Sequence, residues 1–121
     1  MTDIPPEQAL ADRYLQEMLE AERARDFTAW CARWDDEELE GFDEASFQQD
    51  LDEMSELLGP YRSRDYLGCL TPPAGTDPDE EELPRLRFVW KASYERGDAM
   101  FDVGIVHLNG AWRVYRNACS M

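Results

Sequence analysis

A single histidine, His107, is available for acid–base chemistry, histidine being the side-chain type suited to proton transfer near neutral pH. It could serve as a general base if a carboxylate oriented it. The strand pattern instead sets Phe88 and Trp112 beside it and turns Asp102 to the opposite face. Arg116 is the second residue of chemical interest. A guanidinium on an otherwise apolar strand face needs a carboxylate, a bound anion or an exit to water. Residues 1–59 carry 18 acidic and 4 basic side chains, so an internal ion pair is the favoured reading. A bound ligand anion comes second.

Other chemistries lack their usual signatures. Cys31, Cys69 and Cys119 are odd in number and widely spaced, and with one histidine they suggest neither a disulfide framework nor a zinc site. Three reduced thiols, mostly buried, are expected. The sequence has no Asp-x-Asp-x-Asp-Gly loop, no His–Glu pair and no Gly-rich phosphate loop. No metal, cofactor or catalytic residue is therefore assigned, and an enzyme using His107 and Arg116 ranks below two binding functions.

The elements that must position these residues follow from periodicity. Pro5 and Pro6 precede a helix over about 6–24, with Leu10, Tyr14, Leu15, Met18 and Leu19 on one stripe. Asp26 caps a second helix carrying Phe27, Trp30, Cys31 and Trp34 and ending near Asp35–Glu38. Asp43 caps a third, with Phe42 stapled onto Phe47 and a buried stripe of Phe47, Leu51, Met54, Leu57 and Leu58, stopped by Gly59-Pro60. Residues 61–71 read as a strand, and the Pro/Gly/Asp/Glu-rich stretch 71–84 as a mobile acidic loop. From Leu86 onward apolar and polar residues alternate, broken at Gly97-Asp98 and Asn109-Gly110, both two-residue hairpin turns.

Those turns predict a register. Gly97-Asp98 pairs Tyr94 with Phe101, Trp90 with Ile105 and Phe88 with His107. Asn109-Gly110 then adds Trp112 beside His107, Val114 beside Ile105 and Arg116 beside Val103, all on one apolar face. The opposite face is mixed, with Arg87, Lys91, Arg113 and Tyr115 at its centre. The expected fold class is α+β: three N-terminal helices packed on one face of a curved four-stranded antiparallel sheet.

At 121 residues the chain is sized for one domain, 1–121, with helices over about 6–58 and the sheet over about 61–119. No apolar run approaches a membrane span, and the start Met-Thr-Asp-Ile-Pro-Pro lacks a signal-peptide pattern, so the expected localisation is cytoplasmic. The net charge of -15 is concentrated in the helices. Asp50, Asp52, Glu53 and Glu56 form an acidic helix face suited to a basic protein partner. Arg87, Lys91, Arg113 and Tyr115 would suit nucleic acid by residue type, but overall repulsion opposes that encounter. A homodimer through this sheet face, or an acidic partner, fits better.

Leu58-Gly59 with Arg62–Arg64, the strand Trp90–Tyr94, and Gly110-Ala111-Trp112-Arg113-Val114 resemble the small bacterial members of the NTF2-like, SnoaL-type cone-fold superfamily. The resemblance covers roughly residues 8–118 and rests on structural motifs of low specificity. It implies a pocket at the open end of the cone, lined from the core face. Its implied pocket residues here are Arg116, Tyr94, His107 and Trp112, with Trp30 and Trp34 from the helices. The leading expectation is a noncatalytic NTF2-like domain that binds a small ligand or a protein. The alternative is an acidic immunity or inhibitor protein whose helices engage a basic toxin or nucleic-acid-binding protein.

Overall fold

Proline lacks the N–H that a first helical turn leaves unbonded anyway, and Pro6 opens helix α1 (Pro6–Ala24). Its stripe Ala11, Tyr14, Leu15, Met18 and Ala21 is buried. A computed structural model describes residues 6–70, 85–108 and 110–120. The loop expected over 71–84 and residue Asn109 lie outside these. Helix α1 ends at Arg25, whose φ of 56° is left-handed. The Arg25 guanidinium reaches Asp52 at 2.7 Å and Gln48 at 3.0 Å, tying the end of α1 to the third helix.

Helix α2 (Phe27–Cys31) and helix α3 (Glu44–Leu58) start at the expected caps. Asp26 Oδ1 accepts from the Ala29 N–H and Asp43 Oδ1 from the Ser46 N–H, each cap contributing about 1 kcal/mol. Helix α2 stops sooner than its apolar spacing predicts. The chain at Trp34 instead forms a parallel bridge to the last strand: the Val114 N–H donates to Arg33 O at 2.8 Å and the Asp35 N–H to Val114 O at 2.9 Å. Backbone groups on an open sheet edge need partners, and this need outweighs one more helical turn. A short 3-10 helix, Asp36–Leu39, leads towards α3.

The strands β1 (Tyr61–Leu70), β2 (Leu86–Tyr94), β3 (Gly97–Leu108) and β4 (Ala111–Ser120) form an antiparallel meander in sequence order. The fold class is therefore α+β, three helices followed by a four-stranded sheet, with α1 against β3. Ile105, Val103 and Val114 are fully buried in one core with Leu15 and Met18, each contributing about 1.5–3 kcal/mol by burial.

Two details of register differ from expectation. The β2–β3 turn is Glu95-Arg96, with Tyr94 opposite Gly97, Trp90 opposite Phe101 and Phe88 opposite Val103. The end of α3 holds it there: the Arg96 N–H donates to Leu58 O, and its guanidinium to the carbonyls of Ser55 and Glu56 at 2.7 and 2.8 Å. These are the carbonyls a helix end leaves without partners. The shift along β3 is even, so the expected apolar face survives.

On β4 the difference has more effect. Pairing runs as expected from Leu108–Ala111 to Ile105–Val114, then slips, so that Gly104 faces Arg116 and Val103 faces Asn117. Tyr115 is the extra residue of a bulge. Its ring lies on Gly104, where an added Cβ would stand 2.5 Å from Cζ. Arg116 accordingly leaves the core face on which it was expected and joins the outer one. There its Nε donates to Asp102 Oδ2 at 3.0 Å, while Arg87 holds the same carboxylate through Nε and Nη2.

Asp102 is only 3% exposed. Burial alone would raise its pKa, but hydrogen bonds and charge from Arg87 and Arg116 outweigh that and hold it below the usual carboxylate range. Replacing it by asparagine removes the charge while both guanidiniums remain, each still able to reach water. Asp102→Asn is expected to lower stability by about 1–3 kcal/mol at neutral pH. Urea denaturation measures this, and the deficit should shrink as pH falls below the unfolded value of 3.8 and through the lower folded one, where the wild-type carboxylate protonates.

Candidate functional site

Helix α3 does not close down onto the sheet. Phe47 and Leu58 are buried at its two ends, whereas Leu51 and Met54 between them are half-buried and Leu57, expected inside, is 60% exposed. Between α3, α1 and the sheet lies a cavity of about 410 Å³. Leu51 and Met54 form one wall, Leu15 and Leu19 of α1 another, and Phe101 with Asn117 and Cys119 the sheet side. Trp30, Trp34, Leu39 and Phe42 line the segment between helices.

Aromatic packing shapes the α2 side of this space. The Trp30 and Trp34 rings stack at 5.0 Å, and Phe42 and Phe47 each lie 5.5 Å from Trp30. The Trp34 Nε1 donor is buried and has no acceptor among the described residues. Such an orphan costs about 1–3 kcal/mol.

Glu22 is the site's distinctive polar group. It stands at i+7 from Leu15 on the apolar stripe of α1, half-buried, with Oε2 accepting from Trp30 Nε1 at 3.3 Å. Burial raises its pKa from 4.5 to about 7, with the Trp30 bond opposing only in part. Across from it, burial with the Glu22 charge pushes the Cys119 thiol up to about 11. The Tyr94 hydroxyl is held far above the ordinary phenol range by burial, with Cys119, Glu22 and Tyr61 adding to it. Glu38, Asp50 and Glu53 also line the cavity.

A second concavity of about 510 Å³ lies between α1 and β1 around Arg64. This guanidinium holds Asp12 at 3.0 Å, Gln16 at 2.8 Å and the Tyr61 hydroxyl at 2.9 Å. Its donors are engaged by the fold itself, so the cavity at Glu22 is the better candidate.

No protein-family model and no curated protein matches this chain. The site is therefore read from its own geometry. Among the described residues no group of three or more His, Cys, Asp or Glu is placed to hold a metal ion, and no helix is long and apolar enough to cross a membrane.

The six residues named for a pocket do not converge. Trp30 and Trp34 line the cavity. Tyr94 is buried in the core, edge-on to Phe101. His107 and Trp112 meet at 5.2 Å on the last hairpin. His107 lies beyond the β2 pairing because that pairing ends at Leu86–Ile105. Arg116 is on the far side of the sheet. Of the interface candidates, Asp50 and Glu53 line the cavity, Asp52 pairs with Arg25, and Glu56 is exposed. On the outer face Arg87 pairs with Asp102, Lys91 lies 3.7 Å from Asp98, Tyr115 lies under Arg85, and Arg113 is exposed.

Sequence reasoning missed Glu22, Asn117 and Cys119. The spacing Leu15, Met18, Leu19, Glu22 marked a carboxylate on a buried stripe and could have found the first. The other two depend on the β4 bulge.

A carboxyl whose pKa is raised on folding contributes stability below its unfolded pKa and loses it as pH rises through the folded value. For Glu22 that window runs from 4.5 to about 7. The charged and titratable neighbours are Cys119, Tyr94, Glu38, Asp50 and Glu53, and neither of the first two ionises in this window. Glu22→Gln should therefore gain stability relative to wild type between pH 5 and pH 8, measured as the difference in urea midpoints. A difference that stays flat over that range would reject the raised pKa.

Proposed function

We propose that this chain is a noncatalytic NTF2-like, SnoaL-type domain that binds a small, mainly apolar ligand in the cavity between α3 and the sheet. The observation that carries this reading is the separation of α3 from the sheet over Leu51 and Met54, which leaves about 410 Å³ lined by apolar and aromatic side chains with a few polar groups. That volume lies in the ordinary range for small-molecule sites, about 300–1,000 Å³, and the mixture of walls is typical of them. A helical layer over one face of a bulged meander, with a space between them, agrees with the architecture that the sequence resemblance implies. The half-buried Glu22 costs stability, as a group kept for binding commonly does.

The immunity or inhibitor reading draws less support. Its acidic helix face is divided, since Asp52 is engaged by Arg25 and Asp50 and Glu53 belong to the cavity lining. The sheet-face homodimer loses much of its charge drive for a similar reason: Arg87 and Arg116 share Asp102.

Filling the cavity tests the proposal. Leu51→Trp places a large ring in the space, and binding of a neutral solvatochromic dye such as Nile red should fall at least about tenfold while the protein stays folded by circular dichroism. Saturable dye binding unchanged by Leu51→Trp would mean that the site is elsewhere.

A further inference from the structure

We infer that the ligand is an organic cation, a protonated amine or quaternary ammonium on an apolar body, held between the cavity's carboxylates and its tryptophan faces. The inference rests on the ligand-site reading above and adds the sign of the ligand's charge.

Three separate elements bring carboxylates to one cavity: Glu22 from α1, Glu38 from the 3-10 helix, and Asp50 and Glu53 from α3. The cavity lining includes no lysine or arginine. The overall acidity of the helices does not by itself produce this, because the helical layer also carries arginines. Three of the four are engaged elsewhere, Arg13 and Arg33 on Glu17 and Arg25 on Asp52, and the fourth, Arg23, is exposed and outside the cavity lining. A cleft lined by charges of one sign, with low-dielectric walls, focuses its field and concentrates the opposite charge.

The walls suit such a cation in a second, independent way. Trp30, Trp34 and Phe42 form an aromatic wall of the cavity, and aromatic rings attract a cation where water is excluded. Glu22 supplies the counter-charge at this aromatic wall. Trp30 occupies its Oε2, while Oε1 accepts no hydrogen bond from the described residues. A carboxylate or phosphate ligand would meet only like charges here. A neutral one would bury Glu22 further without a partner, which is unfavourable for the ionised form. The leucines and Met54 then require the rest of the ligand to be apolar, which argues against a small hydrated cation such as ammonium itself.

The test is a series with one body and three head groups: phenylbutylamine, phenylbutanol and phenylbutyrate, titrated calorimetrically at pH 8 into the wild-type chain, Glu22→Gln, Glu53→Gln and Leu51→Trp. The amine should bind wild type about tenfold or more tighter than the alcohol, and the butyrate weakest. Glu22→Gln should bring the amine down to the alcohol's affinity and leave the alcohol within about twofold. Glu53→Gln, at an exposed position, should weaken the amine about threefold and so tests the rim independently of any effect of Glu22 on folding. If alcohol and amine bind equally, and Leu51→Trp abolishes both, the cavity is a ligand site and the cation inference is overturned. If the butyrate binds tightest, the sign of charge is wrong. If no probe binds wild type, both the inference and the reading beneath it fall.

Discussion

The ring of Tyr115 rests on the backbone of Gly104, at a distance that leaves no room for a Cβ between them. Glycine at that one position lets an aromatic side chain lie flat over the sheet, and the extra residue this accommodates sets the phase of everything beyond it on β4. Before the bulge, Trp112 and Val114 share the core side with His107 and Ile105. After it, Asn117 and Cys119 take that side, and Arg116 and Ala118 turn away. Without the slip, the sheet wall near the cavity would be a guanidinium and a methyl group. With it, the wall is an amide and a thiol, and no cation competes with the carboxylates opposite. The same slip delivers Arg116 to Asp102, so that two arginines can neutralise a carboxylate buried in the outer face. One backbone irregularity thus orders both faces of the sheet.

The helical layer is governed by a different constraint. Its contacts to the sheet come from α1, whose apolar stripe is buried along its length, whereas α3 is attached at its ends. Arg25 and Gln48 hold its first half to the turn after α1, and Arg96 grips its last carbonyls. Held in this way, α3 spans a gap without filling it. Helix positions that would ordinarily supply core, Leu51 and Met54, face open volume instead. The stability forgone there is of the order of a kcal/mol for each incompletely buried side chain, which a ligand of the kind proposed would recover.

How much of this could be read from the sequence depends on whether a feature is local. Helix caps at Asp26 and Asp43, the α1 stripe and the alternation in β2 and β3 are set by nearest neighbours in the chain, and all appear where their patterns place them. The β2–β3 turn was misplaced because Gly97-Asp98 has better turn chemistry than Glu95-Arg96. The deciding partner, the carbonyl end of α3, is some forty residues away in sequence. The bulge was invisible because the run from Tyr115 to Cys119 has no strong apolar alternation against which a slip would show. Arg64, which takes the half-buried arginine role expected of Arg116, was hidden in an edge strand with two bulges of its own. The cavity was unreadable for a simpler reason: periodicity reports which face of a helix is apolar, not how far that face stands from its neighbour.

The bridge between Trp34 and Val114 bears on how copies of this chain can meet. It occupies the outward backbone groups of Val114 midway along β4, and on the other margin the bulges of β1 leave a regular run no longer than Ser63–Tyr66. Neither margin offers a long straight row of N–H and C=O groups for a neighbour to zip onto. Growth of the sheet from molecule to molecule by edge pairing is thereby hindered at both margins.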